Sequence, residues 1–164
     1  MKTLCRSIIL GWSGVAVVLL LGTSCASTGL QRNKVYYTTA NIWYEHPHRV
    51  YSTNYHVGQM LPANSAIKVL ECSGHAVRFK HLKTGVVLTF THIPRHSSIS
   101  AREFFSRYFS ERDCSAELAS LSKNEQKHVI NGNLALGMSK KAVFMAYGNP
   151  PTHRTPNLSC DRWI

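Results

Sequence analysis

Residues 76–93 read AVRFKHL, then KTG, then VVLTFTHI. Successive side chains of a strand point to opposite faces. Val77 and Phe79 therefore share one face of the first run, and Arg78 and Lys80 share the other. The second run is rich in β-branched and aromatic residues, which suit a pleated, half-buried surface. Lys83-Thr84-Gly85 lies between them, and a glycine free to adopt positive φ at the end of a short loop is a hairpin signal. Upstream, Ala66 to Cys72 (AIKVLEC) places Ile67 and Val69 on one face, behind a turn at Leu61-Pro62-Ala63-Asn64-Ser65. Val35 to Thr39 and Ile42 to Tyr44 complete the β-rich stretch. About five short strands at this density predict a small SH3-like barrel, because closure removes the exposed edges of so small a sheet.

Past Ser97 the pattern changes to helix. Ser100 and Glu103 fit a capping box ahead of Phe104, Phe105, Tyr108 and Phe109, which are spaced as a broad apolar helix face. Residues 115–120 continue helical. Ser122 and Glu125 form a second capping box, opening a helix that Gly132 can end. Ser139 caps a last helix, Lys140 to Tyr147, which Gly148 and Pro150-Pro151 stop.

The 164 residues carry 19 Lys+Arg against 8 Asp+Glu, a formal net charge of +11. Hydrophobic residues at 44% argue against a disordered or collagen-like chain. Charged residues at 16% argue against a long coiled coil.

The N-terminus has the layout of an export signal. Lys2 and Arg6 precede an uncharged, largely apolar run from Ile8 to Leu21, and small residues Gly22, Thr23 and Ser24 precede Cys25. That run falls short of the roughly 20 residues that span a bilayer. Leu21 to Cys25 resembles the lipobox of bacterial lipoproteins, with the leucine one position further from the cysteine than usual. The resemblance implies cleavage between Ser24 and Cys25 and lipidation of Cys25. It implies anchoring at the periplasmic face of the outer membrane, since no aspartate follows the cysteine. Loss of residues 1–24 lowers the formal charge from +11 to +9. A cation of that strength attracts anionic lipid or cell-wall polymer, and export makes nucleic acid an improbable partner.

Ile130, Gly132, Gly137-Met138-Ser139, Val143 and Gly148-Asn149-Pro150 resemble the SmpA/OmlA family of outer-membrane lipoproteins, to which BamE belongs. The resemblance implies two helices of an ααβββ unit acting as a non-catalytic scaffold. The family's strands would follow Pro150, and the sequence ends at Ile164 before supplying them. The expected architecture is therefore α+β. Residues 1–24 are a lipoprotein signal peptide, 25–34 a lipidated tether, and 35–112 an SH3-like unit with a C-terminal helix. Residues 113–164 form a helical, BamE-like segment whose sheet is missing, as if truncated.

Other chemistry has weak support. His46-Pro47-His48 and His92/His96 are the close histidine pairs, and Pro94 forbids a regular helix between the latter two. His75 and His81 are expected on one strand face. No metal or cofactor is expected. Cys114, ahead of a helix, is the candidate for a Cys/His hydrolase. Glu45 and Glu71 are the candidates for a carboxylate pair. Cys72, Cys114 and Cys160 allow one disulfide with one thiol left over, or three unpaired cysteines. The sequence thus predicts a membrane-anchored interaction module, not an enzyme, helping outer-membrane assembly or integrity. The alternative is a peptidoglycan- or anionic-lipid-binding module.

Overall fold

The structure, a computed structural model, describes residues 28–53, 56–150, 154–155, 157–160 and 162. Along the chain the strands are β1 (Val35–Thr38), β2 (Ile42–Tyr44), β3 (Val50–Tyr51), β4 (Gln59–Leu61), β5 (Ala66–Cys72), β6 (Ala76–His81), β7 (Val87–Thr91) and β8 (Phe109–Ser110). The α-helices are α1 (Ala101–Tyr108), α2 (Ser115–Ala119), α3 (Lys123–Asn131) and α4 (Lys140–Tyr147). The protein is α+β.

Six strands form one curled sheet in the order β3-β7-β6-β5-β1-β8, while β2 and β4 make a separate antiparallel pair. The hairpin that decides the fold is as the sequence predicts. Val77 lies opposite Phe90, and Phe79 opposite Leu88, all of them buried, while Arg78 and Lys80 face solvent. Gly85 turns the chain at φ 76°. Leu82 and Val86 both lie in the loop, which is thus two residues longer than expected.

Helix α1 supplies the other wall of this core. Phe90 meets Phe104, Phe105 and Tyr108 edge-on, at centroid separations of 5.3, 5.8 and 5.3 Å. Edge-to-face pairs of this kind add to area burial. Ser100 caps the helix by accepting from the Glu103 amide, but the box is half formed: the Glu103 carboxylate turns to Arg107, 2.7 Å away. Phe109 corrects the helical reading. Its backbone is extended (φ −130°), and it starts β8, paired with Thr38 of β1. Thr39 pulls the chain out of the helix, donating from its amide to the Tyr108 carbonyl and from its hydroxyl to the Arg107 carbonyl.

A second, smaller core gathers Leu121, Val129, Ala142, Met145 and Ala146 from α3, α4 and the chain before them. The Ser122/Glu125 box forms in full, and Gly132 ends α3 in the left-handed region at φ 63°. Ser139 caps α4 by accepting from the Ala142 amide. These helices pack on each other and dock on the β2–β4 pair. A Cβ on Gly132 would lie 2.5 Å from Trp43 and 2.6 Å from Met60 Sδ, so only glycine allows that approach.

Asn41 joins the two cores. It is 2% exposed. Its Nδ2 donates to the carbonyls of Val129 (2.8 Å) and Ala146 (2.9 Å), near the ends of α3 and α4. Its Oδ1 accepts from the Ala63 amide (2.7 Å), and its own amide donates to Met145 (2.9 Å). The last carbonyls of a helix have no intrahelical donor, and here one side-chain amide supplies donors to both helices.

Two predictions follow from these buried polar groups. Asn41→Leu leaves the buried Ala146 carbonyl and the Ala63 amide without these partners, each costing about 1–3 kcal/mol, and takes from the Val129 carbonyl one of its two donors, the Gly132 amide remaining. Urea unfolding should show a loss of about 3 kcal/mol or more, and a loss within ~1 kcal/mol would mean the groups find other partners. The second concerns pH. His92 is buried at 2% exposure with neither ring nitrogen hydrogen-bonded among the described residues, and it packs on Phe104 at 4.9 Å. Burial, with a smaller push from His75, holds its pKa below the usual value, and burial also lowers His56 and His81. The unfolded state then binds the extra protons, so stability is full above about pH 6.5 and falls as the medium is acidified. Each histidine contributes up to about 1.4 kcal/mol per pH unit in that window. Glu125 acts lower down. Hydrogen bonds from Ser139 and Ser122 depress it to about 2, so its contribution is lost between 4.5 and about 2. His92→Phe should flatten stability between neutrality and mild acid in pH-dependent urea titrations, and an unchanged slope would remove His92 as a source.

Candidate functional site

Two short segments, far apart in sequence, face each other across a groove. One is β4 and the turn that follows it. Thr38 fixes that turn, its hydroxyl donating to the Pro62 carbonyl (2.7 Å) and accepting from the Ser65 amide (2.9 Å). Asn64 adopts φ 61° there, and its side-chain oxygen accepts from the Cys114 amide at 2.7 Å. The other bank is the β6–β7 loop, where the Gly85 amide donates to His81 and the Leu82 amide to Ala66, both at 2.9 Å. His81 Nδ1 shares a hydrogen with the Thr84 hydroxyl at 2.8 Å.

The groove between them measures about 670 Å³, within the usual range of ligand sites. Met60, Leu61, Pro62 and Val86 supply apolar surface, Tyr44 stands at one end, and Lys83 lies at the rim. The Tyr44 hydroxyl donates to Gln59 Oε1 (3.1 Å). Among the described residues, no aspartate or glutamate lines the groove. Lys83 is exposed and makes no ion pair or hydrogen bond among the described residues. Burial first, and then its charge, hold the His81 pKa below the usual value. All three residues of β4 line the groove, but of β2 only Tyr44 does. The groove thus runs along the outer edge of β4, the edge with no strand partner among the described residues.

A second cavity, beside Trp43, His56, Tyr108 and Tyr147, is about 20 Å³. That is room for roughly one water, not for a substrate.

The residues singled out from sequence are scattered. Ser24 and Cys25 lie outside the described residues. Gly132, Ser139 and Gly148 cap α3 and α4, while Gly137 takes φ 84° in the connection between them. Met138 Sδ accepts from the Ala135 amide, Val143 is half-buried on α4, and Pro150 is half-buried beyond it. The family-motif positions thus do structural work and converge on no pocket.

Cys114 precedes α2, but its thiol donates to the Arg112 carbonyl (3.6 Å), and burial with Glu117 and Asp113 pushes its pKa up. A nucleophile needs the opposite shift. Glu45 is exposed, and Glu71 is paired with Arg78 at 3.2 Å. His81 turns inward while His75 stays exposed, so the two do not share a face as expected: His75 precedes the strand. His46 and His48 stack at 5.9 Å. Among the described residues, no group of three metal-ligating side chains comes together. Cys72 is disulfide-bonded while Cys114 and Cys160 are free. The three therefore form no bridge among themselves, and the partner of Cys72 lies outside the described residues.

Sequence reading missed Asn41 and the Met60/Lys83 groove. The available signal for the groove was Lys83 two residues before a turn glycine, too common to stand out. Comparison of the chain with family models, with curated proteins and with solved structures gives no match.

Proposed function

We propose that this chain is a non-catalytic interaction module, tethered by lipid on Cys25 to the periplasmic face of a bacterial outer membrane. The observation that carries the interaction reading is the open groove beside β4, with its apolar lining residues and the exposed cation of Lys83. A raised Cys114 pKa argues against thiol chemistry. The export-like pattern of residues 1–25 supports the anchor.

The order β7-β6-β5-β1-β8, with a 3-10 turn at Pro94–His96 before the last of these strands, supports an SH3-like reading of the β-rich unit. The BamE-like reading of α3 and α4 rests on the motif residues alone. In this reading the module helps assemble or stabilise the outer membrane by holding another envelope protein. A second reading, binding of anionic lipid or peptidoglycan, is favoured by the exposed Lys80 on β6 and by the formal charge of +9 left after loss of residues 1–24.

The anchor makes a specific chemical demand. A thioether-linked lipid and a disulfide cannot share one sulfur, and Cys5 leaves with residues 1–24. The mature lipidated chain should therefore carry Cys72, Cys114 and Cys160 as three alkylatable thiols. Intact mass and thiol alkylation of protein from membranes of cells fed labelled palmitate should show acylated Cys25–Ile164, with the label lost in Cys25→Ser. A peptide containing Cys25 disulfide-linked to Cys72 would exclude the anchor.

A further inference from the structure

We infer that the groove receives an extended, acidic segment of a partner protein, which adds as a strand to the free edge of β4 and sets a carboxylate against Lys83. This deepens the interaction-module reading and rests on it. Four observations lead here.

First, the groove follows an edge, not a face. Gln59, Met60 and Leu61 all line it, and β4 pairs on one side only, with β2. A strand edge offers unpaired N–H and C=O groups to any extended chain laid beside it. Three residues of β4 present about 10 Å of such edge, enough to fix a short segment in register.

Second, the surface beside that edge suits side chains that alternate. Met60, Pro62 and Val86 offer partly exposed apolar contacts, Leu61 lies buried behind them, and Gln59 and Thr84 are polar. Alternate side chains of an added strand would face the groove floor and solvent in turn.

Third, the charge is one-sided. Lys83 is exposed, and among the described residues it has no ion pair and no carboxylate lines the groove. Elsewhere the protein pairs its cations where acids are at hand, as Lys34 with Glu111 and Arg107 with Glu103. A partner carboxylate near Lys83 would meet no competing negative charge in the groove.

Fourth, the shape disfavours a flat lipid surface as the occupant. The apolar residues lie along the groove, and Leu61 is only 3% exposed. A bilayer would engage projecting side chains, whereas a narrow segment can reach into a groove.

The test uses the full chain, isotopically labelled, titrated with an acetylated hexapeptide of alternating valine and glutamate. Amide shifts should concentrate at Gln59–Leu61 and Lys83–Thr84. Lys83→Glu, at an exposed loop position, should weaken binding roughly fivefold and should favour the matching valine–lysine peptide instead. N-methylation of alternate peptide amides, which removes backbone donors and leaves the protein untouched, should abolish binding if strand addition is correct. The idea is overturned by shifts that spread over the basic surface, by equal binding of both peptides, by binding that survives N-methylation, or by no localised shifts at millimolar peptide. Vesicles of phosphatidylglycerol form a separate arm: perturbation of the groove by vesicles and not by peptide would also overturn it. Loss of palmitate labelling with intact peptide binding would remove the anchor and leave the groove assignment standing.

Discussion

The docking of α3 and α4 on the β2–β4 pair rests on four hydrogen bonds made by one buried asparagine. Helices α3 and α4 are eight or nine residues long, shorter than isolated helices that hold in water. Their stability must come from packing, and their closing carbonyls must find donors. Asn41 does both. It sits just before β2, so the short β2–β4 pair fixes its position, and its side chain ties Val129 and Ala146 to the turn at Ala63. No other standard side chain of that size offers two donors and an acceptor in one plane. Aspartate would turn a carboxylate toward two carbonyls, and leucine would fill the space with nothing to donate.

This bears on the expectation that α3 and α4 need a missing sheet. Their apolar sides close a small core of their own, with Phe144, Met138 and Tyr147 at its margin, and the β2–β4 pair covers the end of α3. Exposed apolar residues do remain nearby: Ile130 at 61% and Leu136 at 103%. They lie at the end of α3 and in the connection to α4.

How much of this was legible in the sequence depends on whether a signal is local. The 77/79 alternation, the Ser122/Glu125 box, the Ser139 cap and the turns at Gly85 and Gly132 are each decided within a few residues, and each holds. The two- and three-residue strands β3, β4 and β8 are too short for a period to show. Phe109 reads as part of a helix face because nothing local says that Thr39 will bind the carbonyls beside it. His92 was weighed as a metal ligand because its type suggested one. Its burial against Phe104 follows only once α1 lies over the sheet. Asn41 and the groove were invisible for the same reason: their partners stand 20 to 105 positions away along the chain, where a single sequence carries no information on contact.

The groove and the helical core share a wall, and this limits how the site can work. Met60 lines the groove on β4, and its sulfur lies against the α-carbon side of Gly132, where not even a methyl group would fit. Trp43, opposite Met60 in the β2–β4 register, presses on the same glycine. Packing this close leaves β4 little freedom to shift toward α3. An added strand would therefore meet an edge already held in place, and little of its binding energy would go into ordering the protein. Tyr44, at the groove's end, is 7% exposed and tied to Gln59, so that end too is set beforehand. Lys83, by contrast, is exposed on a loop, and its long side chain has rotamer freedom to follow a carboxylate over a range of positions. Under the strand-addition proposal, a fixed edge beside a long cationic side chain would favour an extended backbone with loose demands on its sequence.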